Sequence, residues 1–119
     1  MGVGVNRIGK VVSLKPRRTR EYRRWSTKSG YEFLIVDLRI RNRLSEPTIL
    51  YGRTLTLLVG DKRIHPKGVV GDSMLESGEF IRIRVGAGKS VNESFIFVTP
   101  VNEKKAMLRI LDMDPIEIR

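Results

Sequence analysis

With 119 residues, 40% of them hydrophobic, the chain has the size of one domain with a real core. Cysteine is absent, which excludes a disulfide framework and thiolate metal sites, and no apolar run reaches the roughly 18 residues that a membrane-spanning helix needs. Lys and Arg number 23 against 13 Asp and Glu, a net charge of +10 that points to polyanionic rather than cationic partners.

The N-terminus, Met1 to Gly9, lacks the charged head and apolar body of an export signal. It reads as the start of a soluble, cytoplasmic protein; a leader cut away beforehand would place the protein outside the cytoplasm. Arg7–Leu14 is the first predicted strand, with Ile8, Val12 and Leu14 on one face, and Pro16 is expected to end its pairing because it has no N–H to donate. Residues 15–30 are then expected to form a long basic connection closed by Ser29-Gly30. A helix within it would have little apolar face, only Tyr22 and Trp25.

The strongest element follows at Tyr31–Asn42. Leu34, Val36, Leu38 and Ile40 recur at every second position, with Ile35, Asp37, Arg39 and Arg41 between them. Successive side chains of a strand point to opposite faces, so one face is predicted to lie on a core and the other to be wet. That alternation is a property of antiparallel sheets.

Asn42 to Pro47 is turn chemistry, Thr48–Tyr51 a short strand, Gly52 a bend or bulge, and Thr54–Val59 the next strand. Gly60-Asp61 predicts a tight hairpin returning through Lys62–His65. Pro66–Gly78 is irregular, with Val69, Val70, Met74 and Leu75 expected to tuck under the edge. Glu79–Val85 alternates, with Phe80, Arg82 and Arg84 opposite Ile81, Ile83 and Val85. Gly86-Ala-Gly88 is a turn, and Val91–Val98, Ala106–Leu111 and a short Ile116–Ile118 complete the set. Short strands at intervals of about ten residues predict one all-β domain over residues 1–119, an immunoglobulin-like antiparallel β-sandwich of seven to eight strands. Its inward set comprises Leu34, Val36, Leu38, Ile40, Leu55, Leu57, Ile81, Ile83, Phe95, Phe97, Leu108 and Ile110, with the faces of 91–98 and 106–111 left open.

Three segments carry a family resemblance: Phe33–Asn42 followed by Glu46-Pro47, Leu55–Lys62 around Gly60-Asp61, and Gly88–Pro100. Together they resemble the small immunoglobulin-like β-sandwich domains of bacterial and archaeal envelope proteins of unknown function, sometimes labelled telomeric-repeat-binding-factor-like. The resemblance spans roughly residues 8–112 and implies a sandwich with no catalytic residues. This chain departs from it in lacking an export signal or lipobox, and in being so basic between its first two strands.

The charge is concentrated. Between Lys15 and Lys28 there are seven cations and one anion. Lys15, Arg17, Arg18, Arg20, Arg23, Arg24 and Lys28 are candidate contacts to phosphates or carboxylates, joined by Arg41 or Arg43 from the next strand. Tyr22 and Trp25 among them are candidates for stacking on unpaired bases. The competing expectation is a loop salt-bridged to acids such as Glu21, Glu32 and Asp37. Dense charge, the absence of Gln and only four Asn lean toward a thermophilic source.

No catalytic or metal constellation is apparent. His65 is the sole histidine, Gly-x-Ser-x-Gly is absent, and Gly86-Ala-Gly-Lys-Ser90 lacks the spacing and helix of a phosphate loop. Asp37 with Asp112 and Asp114 is the nearest approach to a carboxylate cluster, and Asp next to Pro115 is ordinary turn chemistry. The expectation is a non-enzymatic binding module without cofactor, presenting a basic loop to an acidic macromolecular partner, whether acidic protein, nucleic acid or anionic surface; the alternative is a sequence-tolerant nucleic-acid binder using Arg–phosphate contacts and Trp/Tyr stacking. A strand edge offers a route to a homo-oligomer.

Overall fold

The computed structural model describes residues 9–22, 25–69, 82–103, 105–110 and 115–118. Among them lie twelve strands: β1 (Gly9–Thr19), β2 (Glu21–Tyr22), β3 (Trp25–Ser26), β4 (Tyr31–Asn42), β5 (Thr48–Tyr51), β6 (Leu55–Val59), β7 (Lys62–Ile64), β8 (Gly68–Val69), β9 (Arg82–Val85), β10 (Ser90–Pro100), β11 (Ala106–Ile110) and β12 (Ile116–Ile118). Two four-stranded antiparallel sheets, ordered β1-β4-β10-β8 and β12-β11-β6-β7, make up the sandwich. Lettered A, B, C, C′, D, E, F, G in chain order, these eight strands read A-B-E-D in one sheet and G-F-C-C′ in the other. That is the immunoglobulin arrangement. The remaining four strands form two ribbons, β2-β3 and β5-β9.

The alternation in β4 has the predicted outcome on its inner face. Leu34, Val36, Leu38 and Ile40 are buried together with Phe95 and Phe97 of the same sheet and Leu55, Leu57, Val59, Leu108, Ile110, Ile116 and Ile118 of the facing sheet. A side chain of this size contributes about 1.5–3 kcal/mol when fully buried, and these residues from both sheets unite the layers. Ile83 packs against this cluster from its rim. Ile81, together with Phe80, Val70, Met74 and Leu75, lies outside the described residues.

Two expectations are corrected. Pro16 does not end the first strand: β1 continues to Thr19 and pairs with β4 from Gly9↔Asn42 to Thr19↔Phe33, with Pro16 opposite Val36. Because β1 is the outermost strand of its sheet, a proline there need not break a ladder, provided its nitrogen faces away from the partner. Residues 15–19 are therefore sheet, not loop. A bulge between Val11 and Ser13 absorbs one residue of register.

The outer face of β4 is also not wet along its whole length. Phe33, Ile35 and Ile96 form a second buried cluster, and Tyr22, Trp25 and Val98 pack on it. The β2-β3 ribbon folds over one end of the outer face, with Tyr22 paired to Trp25 and the backbone closed by a bond from Thr27 N to Arg20 O at 3.1 Å. No helix forms in the described part of this connection.

The far end of β4 is fastened by Asn42, which is 1% exposed. Its Nδ2 donates to the carbonyls of Glu46 (2.8 Å), Val85 (3.0 Å) and Gly86 (3.3 Å), and its Oδ1 accepts from Leu44 N at 2.9 Å. One amide thus ties the turn after β4 to the turn after β9. The predicted hairpin at Gly60-Asp61 joins β6 to β7, with Gly60 at φ +61°, a conformation that favours glycine.

Candidate anion-binding face

Strand alternation divides the basic run. Lys15 and Arg17 stand exposed on the outer face of β1, opposite Asp37 and Ile35 of β4. Arg18, one residue on, belongs to the opposite set. Its Nη1 donates to Glu32 Oε2 at 3.3 Å in a largely buried ion pair. This is the kind of pairing expected of a structural arginine. Arg20 and Lys28 are exposed at the base of the ribbon. Arg23 and Arg24 lie outside the described residues.

Tyr22 and Trp25 are half-buried against Phe33, Ile35 and Ile96. Their rings serve first as the cover of an apolar cluster. That explains an aromatic pair in so polar a segment.

The fold adds Arg39, and of the two strand-end candidates it places Arg41 beside it on the same face. Arg39 and Arg41 of β4 are exposed on the same outer face as Lys15 and Arg17, displaced toward the other end of the sheet. Arg39 lies opposite Asn92 and Arg41 opposite Ser90 of β10. Among the described residues, none of Lys15, Arg17, Arg39 and Arg41 has an ion-pair partner within 4.0 Å. Asp37, in the row of Lys15, accepts a 2.5 Å hydrogen bond from Ser94 Oγ on its β10 side.

A shallow cleft of about 530 Å³ opens at this point, lined by Lys15, Arg17, Asp37, Leu38, Asn92, Glu93 and Ser94. Burial pushes the Glu93 carboxyl above its ordinary value. The site is therefore a sheet face with guanidinium and ammonium groups free of ion pairs and the Asn92 amide beside them, a surface suited to carboxylate or phosphate oxygens.

The other sequence candidates behave as structural residues. His65 Nδ1 donates to the carbonyl of Leu55 at 3.1 Å. Lys89 N bonds back to Gly86 O at 3.0 Å in the glycine turn, and β10 follows at once. Asp112 and Asp114 lie outside the described residues, and no group of three or more potential metal ligands occurs among those described. No described helix is long and apolar enough to cross a membrane.

No family model matches the chain, and no curated protein matches it. A solved structure from Bacillus subtilis subsp. subtilis str. 168, named provisionally as a lipoprotein (ycdA), aligns with 98% of this chain at a TM-score of 0.65 and 17% identity. The chain spans 38% of the length of that protein. At this identity the likeness shows the shared β-sandwich fold alone.

Proposed function

We propose that the protein is a non-enzymatic binding module whose outer β1/β4 face engages an acidic segment of a protein partner. The observation that carries this reading is the set of four exposed cations, Lys15, Arg17, Arg39 and Arg41, with no ion-pair partner among the described residues. They share one outer face of the sheet, whereas Arg18 of the same strand is turned away and paired with Glu32. The half-burial of Tyr22 and Trp25 favours a protein over a single-stranded nucleic acid, because stacking needs free ring faces. The provisional lipoprotein name of the neighbour supports an envelope setting, where acidic proteins are the more accessible of the two.

The test is binding of fluorescent poly-glutamate by the protein and by a variant carrying Lys15→Thr, Arg17→Thr, Arg39→Thr and Arg41→Thr. Exposed pairs are each worth about 0.2–1 kcal/mol, so losing four weakens binding about fourfold or more. Added salt should weaken the wild-type complex and flatten the difference. Equal binding by both proteins at every salt concentration would place the interaction elsewhere.

A further inference from the structure

The four cations are not scattered over the face; the register sets them in a line. Arg17 lies in the row of Ile35, Lys15 in the row of Asp37, and Arg39 and Arg41 occupy the next two outward-facing rows. Alternate residues of one strand are about 6.8 Å apart, which gives the steps Arg17–Lys15 and Arg39–Arg41. The step from Lys15 on β1 to Arg39 on β4 is a cross-strand diagonal of about 7–8 Å. The result is a stripe roughly 20 Å long with nearly even spacing.

An extended polypeptide repeats its same-side side chains at that same interval, about 6.8 Å. We infer that the face reads an extended acidic segment carrying Asp or Glu at every second position over about seven residues. This rests on the proposed function and names the spacing its partner must have. Asp37 supports the assignment. It stands beside Lys15 on the β10 side, where Ser94 holds one of its oxygens. It repels an acid set toward β10 and so confines the ligand to the line of cations. Asn92, next to Arg39, is placed to accept or donate along the same path.

The experiment compares labelled nonapeptides of identical composition by fluorescence anisotropy: one with Glu and Ser strictly alternating, one with the Glu residues in a single block. A labelled oligo-dT of similar length is the third probe. The alternating peptide should bind about fivefold tighter than the block peptide, the scale of a few matched exposed pairs. The preference should vanish in both Lys15→Thr/Arg17→Thr and Arg39→Thr/Arg41→Thr, since each double variant removes one half of the stripe. Equal affinity for the two peptides, lost in the double variants, overturns the spacing and leaves the acidic-partner reading standing. Absence of binding to either peptide overturns both. Tighter binding of oligo-dT than of either peptide overturns both as well and makes phosphate the ligand.

Discussion

Glu93 shows how one partly buried residue can set a pH dependence of stability. It falls in the β10 row opposite Leu38, on the strand face that also carries Val91 and Phe95. Burial there raises its carboxyl above the ordinary 4.5. The folded state thus holds the proton more tightly than the unfolded chain does. Stability from this group is full below pH 4.5 and is lost as pH rises through the raised folded value. Glu93→Gln removes the penalty while keeping the shape. The variant should therefore resist urea better than the wild type at pH 7, with the advantage gone at about pH 3.5, below the unfolded value. An unchanged gap between the two pH values would mean that packing, not charge, is responsible. Asn42 is the opposite case, a buried polar group whose four short bonds leave its amide fully engaged. Its place at the end of the predicted strand and before turn residues marked a boundary, but the sequence carries no sign that it reaches across to residues 85 and 86.

The β2-β3 ribbon is the element whose role was hardest to foresee. Two strands of two residues each do not stand alone in water. The ribbon is held by Tyr22 and Trp25 on Phe33, Ile35 and Ile96. Tyr22→Ser should cost about 1–2 kcal/mol of stability from lost apolar burial. It should also move the emission of Trp25, the sole tryptophan, to longer wavelength while the far-ultraviolet β signal persists. Unshifted emission would show that Trp25 docks without its neighbour. The strand alternation of Leu34 to Ile40, the hairpin glycine and most later strands were legible because each is written locally; β8, two residues long, fell in a stretch expected to be irregular. The burial of Phe33 and Ile35 was not legible, since two apolar residues ahead of Asp37, Arg39 and Arg41 give no sign of a cover supplied by residues 22 and 25. Pro16 misled for a related reason: a proline argues against a central strand, and nothing local says that β1 is an edge. The basic run was visible as one block, yet alternation turned Arg18 inward to Glu32 and the pairing register brought Arg39 and Arg41 beside Lys15 and Arg17. Contacts set by register between distant strands leave no mark in local sequence.

For the whole molecule, a net charge of +10 is a standing repulsion that folding must overcome. Other cations have evident structural uses. Arg18 is paired, Arg82 lies 5.8 Å from the Tyr51 ring, and Lys62 and Arg63 line the outer strand β7, where charge discourages pairing with a second sheet. The β1/β4 stripe has no ion-pair partner within 4.0 Å among the described residues, so in the free protein its four charges repel one another, offset in part by Asp37 in the row of Lys15. That makes stability a test of the functional reading, independent of any ligand. At an ionic strength near 0.01 M, where charges interact over about 30 Å, replacing Lys15, Arg17, Arg39 and Arg41 by Thr should raise the melting temperature. Threonine suits a strand, so backbone preference does not mask the effect. Near 0.15 M, with the screening length down to about 8 Å, the gain should shrink. A face kept for binding is expected to trade stability in this way. If the variant instead melts lower at both salt concentrations, the long side chains are packing elements whose stems cover the sheet, and their charge is incidental to their place on it.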